Sequence, residues 1–414
     1  LRNLIFDTSG ATAVVVTCDS EASGALEIPA SYQGKAVTSI GGQAFHSCVN
    51  LTSVVIPSSV RSIGGNAFYN CTGLTAVTIA DGVLDISSGA FAFCTKLTSI
   101  GFPDSVIGIG PEVLGGCSSL TNISVGAGNT GFSAPGGVLH DKSQKTVLKY
   151  PEGKQGAYTM LSTVENVAEH SFIFATGLSG ITLSDKLGSI SDYAFGHSGL
   201  TSVVLPDSVT SISGNAFLAA SSLTTVRFGG KLAFIGDLAF EGCSELIALH
   251  FEGNAPTLGL NAFAGVSADA KVYVTASATG FGPTFGGLPI FDTEAPVIIL
   301  EGETTITIEL GAAYDDQGAT VTDNVDVTRT ITTTDTLDNN AVGSYTLSYK
   351  ANDAAGNKAT EVTRTVNVVS AAEYAVYNAL RNLTFDTSGV TAVVSKCDSA
   401  ASGALEIPAS YQGK

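Results

Sequence analysis

The stretch "VTSIGGQAFHSCVNLTSVVIPSS" at residues 37–59 is followed directly by "VRSIGGNAFYNCTGLTAVTIADG" at residues 60–82. The same phrase of about 23 residues then recurs along the chain, and a degenerate copy ends at residue 277. A fixed period of this length is the signature of a solenoid, in which each copy buries its apolar side against its neighbours. The further copies occupy residues 83–105, 106–128, 164–186, 187–208, 209–231 and 232–254.

Within one copy, the segment "LTSVVIP" at 51–57 has the composition of a β-strand. Leu51, Val54 and Ile56 are predicted to point inward. Pro57 is predicted to end the strand, because proline cannot extend the ladder of hydrogen bonds. This segment is therefore predicted to be the longer strand of a coil.

The start of the following copy predicts a second strand and a turn. "VRSIG" at 60–64 is predicted to be a short strand that the glycines stop. "NAFYNC" at 66–71 fits one helical or 3₁₀ turn with Asn66 as its N-cap. Parallel strands from successive copies are then predicted to stack about 4.8 Å apart.

Matching positions in successive copies form columns. One column is phenylalanine in every copy but one, which indicates a stacked apolar spine rather than a cofactor site. Another column contains Cys48, Cys71, Cys94, Cys117 and Cys243, but alanine, serine or valine in the other copies. Neither a metal ligand nor a disulfide tolerates such exchange, so this column is predicted to hold small, buried and reduced side chains.

The phrase "SIGxxAFxxCxxLTxVxIP" resembles the BspA-like leucine-rich repeats of bacterial surface proteins over roughly residues 1–290. Two features depart from that pattern: residues 129–163 break the period, and the copies at 164–231 lack the cysteine. "GVLHDKSQKTVLKYP" at 137–151 predicts an inserted β-hairpin. Such a projection serves either the architecture or binding.

The region from 294 to 369 lacks the repeat and alternates β-branched with polar residues between turns, which predicts a β-sandwich. It resembles bacterial immunoglobulin-like domains, which usually act as spacers in surface proteins. Its acidic residues either ligate calcium through hard oxygens or shape turns. The candidate calcium ligands are Asp315, Asp316, Asp323, Asp326 and Asp353.

These patterns give a mostly β fold class: a leucine-rich-repeat solenoid with parallel strands and short helical turns, followed by an immunoglobulin-like β-sandwich. Residues 380–414 repeat residues 1–35 at 30 of 35 positions, which indicates a second solenoid cap. The predicted parts are a cap at 1–36, repeats at 37–128, the insertion at 129–163, repeats and a C-terminal cap at 164–293, the sandwich at 294–369, a linker at 370–379 and the second cap at 380–414.

Composition and motifs exclude several function classes. The net charge is −18, so a basic footprint for nucleic acid is absent. No apolar stretch is long enough to predict membrane insertion. The near-motif "GHSG" at 196–199 places Ser198 in the small-residue column, and no metal-hydrolase, nucleotide-binding or paired-carboxylate motif is present. An enzyme is therefore not predicted, and no cofactor is expected other than the possible calcium.

What remains is the outer face of the long strands, which is predicted to carry small hydroxyl and methyl groups. Such a face either docks a protein over a broad area or supports its own strands through cross-strand threonine contacts. Its candidate residues are Thr52, Val55, Thr75, Thr78, Thr98, Thr121, Ser124, Thr182, Thr201, Thr224, Arg227 and His250.

The leading hypothesis is a monomeric, extracellular or cell-surface module that binds a protein ligand. The family resemblance implies adhesion to host matrix proteins or to other cells. The alternative is a non-catalytic carbohydrate-binding or targeting module of a larger surface enzyme. The absence of tryptophan counts against that alternative, since sugar rings usually stack on exposed aromatic side chains.

Overall fold

The computed structural model describes residues 4–19, 21–275, 278–292, 294–323, 325, 330–353, 356–381, 383–386 and 393–397. The chain divides into two units, Leu1–Phe291 and Asp292–Lys414.

The first unit begins with a cap. β1 and β2 form an antiparallel hairpin, and β2 then pairs in parallel with β5. The cap thus turns a local hairpin into the first rung of the stack. Its strands are β1 (Leu4–Asp7), β2 (Ala13–Cys18), β3 (Gly24–Glu27), β4 (Ser31–Tyr32) and β5 (Lys35–Ile40).

The copies at 37–128 alternate one long strand with one two-residue strand. The strands are β6 (Leu51–Ile56), β7 (Ser62–Ile63), β8 (Ala76–Ile79), β9 (Asp85–Ile86), β10 (Ser99–Phe102), β11 (Gly108–Ile109) and β12 (Asn122–Val125). Long strands pair in parallel one copy apart, as Val54 does with Val77, and short strands do the same. Leu51, Val54 and Ile56 are buried as predicted.

The turn between the two strands does not adopt the predicted helical or 3₁₀ geometry. The amides of Asn66, Phe68 and Asn70 donate to carbonyls of the next copy, at N···O distances of 3.0, 2.7 and 2.9 Å. The intervening amides of Ala67 and Tyr69 bond locally instead. Asn66 is in the left-handed region at φ 54°, so it is not an N-cap. Because every second amide donates to the neighbouring turn instead of to its own backbone, the segment cannot form a continuous helix.

The insertion contains β13 (Phe132–Ser133), a 3₁₀ helix (Pro135–Gly137), β14 (Leu139–Asp141), β15 (Thr146–Lys149) and β16 (Gly156–Thr159). β14 and β15 form the predicted antiparallel hairpin. β15 and β16 also take the places of a short and a long strand in the stack, because each pairs in parallel with a strand of the following copy. The insertion is therefore an irregular rung of the stack.

The second set of copies continues to the end of the unit. Its strands are β17 (Asn166–Val167), β18 (Leu178–Thr182), β19 (Ser189–Ile190), β20 (Ser202–Val204), β21 (Ser211–Ile212), β22 (Thr225–Phe228), β23 (Phe234–Ile235), β24 (Ala248–Phe251), β25 (Thr257–Leu258), β26 (Lys271–Val274), β27 (Thr284–Phe285) and β28 (Leu288–Phe291). β27 and β28 close the long-strand sheet as an antiparallel pair. The buried side chains form two apolar clusters, which meet at Val138 and Leu139 in the insertion.

The phenylalanine spine is the centre of both clusters. Ring centroids of successive copies lie 4.5 Å apart for Phe45 and Phe68, and 4.9 Å apart for Phe217 and Phe240. Tyr150 of the insertion continues the column, with its ring 5.1 Å from that of Phe172. The predicted assignment of this column to the core is confirmed.

The cysteine column is buried, and each of its thiols is free. The Sγ of Cys71 donates to the carbonyl of Phe45 at 3.0 Å, and that of Cys243 donates to the carbonyl of Phe217 at 3.2 Å. These thiols therefore do more than fill a small space, since each also satisfies a buried carbonyl. Copies with alanine lack this bond.

The second unit contains β29 (Val297–Leu300), β30 (Thr305–Glu309), β31 (Ala319–Thr322), β32 (Thr332–Asp335), β33 (Gly343–Lys350), β34 (Val362–Val369), α1 (Ala371–Arg381), β35 (Leu383–Asp386) and β36 (Val393–Cys397). One sheet has the order β30-β34-β33-β32, and β29 pairs with β31 in another. Most of the predicted linker at 370–379 lies in α1. β35 and β36 pair in the same antiparallel register as β1 and β2, as the repeated sequence requires.

We expect Phe217→Ala to lower the free energy of unfolding by about 3–5 kcal/mol, because it leaves a cavity between the rings of Phe195 and Phe240. Phe234→Ala is the matched control, because this side chain is 42% exposed on a short strand. It should cost well under half as much. Urea denaturation measures both losses, and equal losses would contradict the role of the spine.

The column thiols should resist alkylation in the native protein. Burial raises the pKa of Cys71, Cys117 and Cys243 to about 12, so the reactive thiolate is scarce at pH 8. Iodoacetamide labelling, read at each cysteine by mass spectrometry, should modify these residues only after denaturation. Equal labelling rates before and after denaturation would show that the column is open to solvent.

Candidate binding face

The candidate face lies on the long strands of the first unit. Its residues stand in register across the sheet, as Val55 does with Thr78 and Arg227 with His250. Ten of the twelve candidates are exposed, while Thr224 and His250 are half-buried. The structure therefore places these residues on one surface, in two columns that run along the stack.

The threonine column at the start of the long strands is engaged with the backbone. Thr75 Oγ1 donates to the carbonyl of Thr52 at 2.9 Å, and Thr224 Oγ1 donates to that of Thr201 at 2.9 Å. Thr121 and Thr201 do the same with the copies before them. These hydroxyls support the entry of each strand into the sheet, which favours the structural interpretation of this column.

The second column changes character toward the C-terminal end of the unit. Val204 pairs with Arg227, Arg227 with His250 and His250 with Tyr273, and Tyr273 pairs with Phe291. The ring centroids of His250 and Tyr273 are 4.6 Å apart, and those of Tyr273 and Phe291 are 5.2 Å apart. We call Arg227, His250, Lys271, Tyr273 and Phe291 the aromatic end of the face.

Sequence reasoning missed Tyr273 and Phe291. Tyr273 lies in "KVYV" of the degenerate copy, at the position that matches Val55, so continuing the column by one more copy would have found it. Phe291 follows the repeats and belongs to the closing strand β28. No repeat position predicts it.

The aromatic end carries positive charge on an acidic protein. Arg227 Nη1 lies 3.9 Å from Glu252 Oε1, and Lys271 Nζ lies 5.2 Å from the centroid of the Phe291 ring. Burial, together with the charge of Arg227, lowers the pKa of His250, so this imidazole is neutral at pH 7. A shallow cavity of about 360 Å³ opens here, lined by Arg227, His250, Phe251, Glu252, Tyr273, Val274 and Thr275.

The structure separates the candidate calcium ligands. Asp323 and Asp353 come together with Asp292, and one carboxylate oxygen of each lies within 4.8 Å of the others. Such oxygens suit a hard cation. However, both carboxylate oxygens of Asp353 also accept hydrogen bonds from Asn357, an arrangement that shapes a turn without a metal.

The other three acidic candidates lie elsewhere. Asp316 accepts hydrogen bonds from Tyr349 and forms an ion pair with the buried Arg364 in the second unit. Asp315 is exposed, and Asp326 lies outside the described residues. The sequence therefore identified two members of the acidic cluster and missed Asp292.

The "GHSG" near-motif forms no accessible nucleophile. Ser198 is buried in the position that cysteine occupies in other copies, and the neighbouring His197 stacks on Phe174 with centroids 5.0 Å apart. Its environment is that of a core position.

Among the described residues, no helix has both the length and the apolar character needed to cross a membrane. No curated protein matches this chain. The model of a bacterial surface protein Ig-like domain matches residues 298–368. No enzyme family is indicated.

Solved structures of leucine-rich repeat proteins resemble the chain. One is a protein from Eubacterium ventriosum, with 22% identity and a TM-score of 0.50, and the match covers 68% of this chain and 85% of the other. The pneumococcal vaccine antigen PcpA has 18% identity and a TM-score of 0.49 over 67% of this chain and 93% of its own. At this identity the first likeness shows the fold alone.

The repeats themselves match a family model. The BspA type leucine rich repeat region matches in six copies, over residues 33–134 and 154–269, which together exceed half of the chain. The protein therefore belongs to the family of BspA-type leucine-rich repeat proteins.

Proposed function

We propose that this chain is a non-enzymatic module displayed on the bacterial surface, and that its solenoid binds a protein partner through the aromatic end of the face. The immunoglobulin-like region acts as a spacer. Adhesion to a host matrix protein or to another cell is the role that such a module would serve. The observation that carries the proposal is the row of His250, Tyr273 and Phe291, whose rings adjoin one another on an otherwise small-residue surface.

Energetics favour this end over the rest of the face. Binding energy at protein interfaces concentrates in a few aromatic and arginine residues, surrounded by contacts that contribute little. Arg227, Tyr273 and Phe291 provide such a centre. The threonines along the remaining strands would form the surrounding contacts, because their hydroxyls already bond the backbone.

The charges at the aromatic end favour a partner with an acidic surface. The chain carries a net charge of −18, whereas Arg227 and Lys271 place two cations at the aromatic end, one of them 3.9 Å from the carboxylate of Glu252. A partner with an acidic patch would be attracted to this end and repelled by the remaining surface. Such an arrangement sets orientation and association rate more than affinity.

We expect Tyr273→Ala to weaken binding to the protein partner by roughly thirtyfold, the loss typical of an interface hot spot. Biolayer interferometry against collagen, fibronectin, laminin and intact epithelial cells measures the binding. Val55→Ala is the matched control, because Val55 occupies the same column at the opposite end of the face. It should change the dissociation constant by less than about threefold.

A glycan array run in parallel tests the alternative. Binding to glycans but to none of the proteins or cells would replace the proposal by the carbohydrate-binding function. Equal effects of Tyr273→Ala and Val55→Ala would show that the partner does not use the aromatic end.

A further inference from the structure

A cleft lies on the side of the stack that is formed by the turns rather than by either strand sheet. It opens where the insertion interrupts the copies. A cavity of about 500 Å³ lies between the turn at 111–117 and the turn at 168–175, and we call it the turn cleft. This volume is within the range of ligand sites. Residues that line it include Phe93, Glu112, Gly115, Lys149, His170 and Phe174.

The cleft exists because the inserted rung has no turn of its own. Six residues separate the end of β15 at Lys149 from the start of β16 at Gly156, whereas twelve separate Ile63 from Ala76 in a regular copy. The insertion thus supplies two strands to the stack but leaves out the turn that would lie between its neighbours.

The missing turn leaves backbone groups without partners. Adjacent regular turns are joined by three hydrogen bonds, or by two where Phe195 and His197 donate to Ala216 and Leu218, and alternate amides of one turn donate to carbonyls of the next. Here the insertion replaces only two of the six groups. The amide of Gly116 donates to Glu152 Oε1 at 2.9 Å, and the carbonyl of Ser171 accepts from the amide of Tyr150 at 2.7 Å.

Two donors and two acceptors remain on the facing walls. Within the described part of the chain, no hydrogen bond involves the amides of Glu112 and Leu114 or the carbonyls of Glu169 and Ile173. All four residues line the turn cleft. Buried backbone groups in folded proteins are nearly always paired, and Leu114 is buried, so another backbone that entered the cleft would find partners on both walls.

The side chains of the walls are aromatic and acidic. Outer rings stack from His46 to Tyr69 with centroids 5.1 Å apart, and Phe93 follows Tyr69 at 5.2 Å. The series stops at Gly115 and Gly116, and it resumes beyond the cleft with His170 and Phe174. Phe93 and Phe174 are exposed.

The carboxylates in and beside the cleft differ in how strongly a cation is paired with them. Lys149 Nζ is bound to Glu152 Oε1 at 2.8 Å, so its charge is already paired. Glu112 and Glu169 are exposed, and His170 Nδ1 lies 3.0 Å from Glu112 Oε1 across the cleft. An exposed pair of this kind contributes little to stability, so a ligand can displace it.

We propose that the turn cleft binds an extended, arginine-containing peptide segment of a partner protein, which takes the place of the missing turn. The inference rests on the proposed protein-binding function and adds a second, separate contact site. The peptide backbone accepts from Glu112 and Leu114 and donates to Glu169 and Ile173, as in the addition of a strand to a sheet edge. Its guanidinium stacks on the exposed rings and pairs with the carboxylates.

The backbone pattern favours a peptide over other occupants. A sugar or a planar aromatic molecule could stack on the rings, but neither presents alternating acceptors and donors to two facing walls. A membrane surface could not enter a cleft between two turns. The acidic side chains disfavour an anionic segment.

The decisive variant is Gly115→Phe, which fills the cleft from one wall. A Cβ at Gly115 meets the carbonyl oxygen of Glu112 at 3.5 Å, an ordinary contact, and this turn position holds Tyr69 and Ile173 in other copies. Ala264→Phe is the matched control, because it places the same side chain at the same turn position away from the cleft.

A phage-displayed library of random dodecapeptides, selected on the immobilised chain, supplies the probes. We expect arginine-rich and aromatic peptides to be enriched. Their dissociation constants should rise at least about tenfold with Gly115→Phe, and should change less than about twofold with Ala264→Phe. Hydrogen exchange of the unsubstituted chain with a selected peptide should protect the amides of Glu112 and Leu114.

Failure of this inference can be told apart from failure of the proposed function. No enriched peptide, equal binding to Gly115→Phe, or unchanged exchange at Glu112 and Leu114 would each overturn the cleft proposal. Tyr273→Ala should leave peptide binding unchanged, since Tyr273 does not line the turn cleft. A loss of peptide binding in Tyr273→Ala would place the peptide at the aromatic end instead.

Discussion

The structure depends on one constraint, which is that alternate amides in the regular turns donate to the following turn rather than to their own backbone. The bonds from Asn66, Phe68 and Asn70 to the next copy are the pattern that the other copies repeat. They hold successive turns at the spacing that the parallel strands require. The same spacing brings rings of the spine to centroid distances of 4.5–5.6 Å, so backbone bonding and core packing reinforce each other.

This constraint explains the composition of the columns. The turn places one ring and one small side chain of each copy in the core, so the phenylalanine spine tolerates few exchanges. The small position tolerates cysteine, alanine and serine, because its volume is limited and its hydrogen bond is dispensable. Cys71 and Cys243 use their thiols to bond the carbonyls of Phe45 and Phe217, whereas Ala220 fills the same position without that bond. Interchangeable contacts of this kind let a repeat array vary without losing its fold.

The sequence predicts the features that recur with the repeat period, but it misses those that depend on contacts between copies. Leu51, Val54, Ile56 and the spine follow from alternation and recurrence, and the hairpin around residues 141–145 follows from local composition. The geometry of the turn could not be read from "NAFYNC", because its amides bond to a copy 22 residues away, as Phe68 does to Ala90. Tyr273 was hidden by a degenerate copy, and Asp292 by its distance in sequence from Asp323 and Asp353.

The insertion shows how the loss of one turn from a repeat array exposes backbone groups that regular copies keep bonded. A regular solenoid offers its partners only side chains, since neighbouring copies consume the backbone groups of every turn. The segment from Lys149 to Gly156 has no turn, so the backbone hydrogen bonds between successive turns are interrupted there. The carboxylate of Glu152 replaces one of them by accepting from the amide of Gly116. The two turns that carry the remaining groups are each bonded to a regular copy on the other side, so a ligand that pairs these groups would need to order little of the protein. A repeat protein can thus gain a backbone-recognition site by omitting one turn while keeping both strands of the rung.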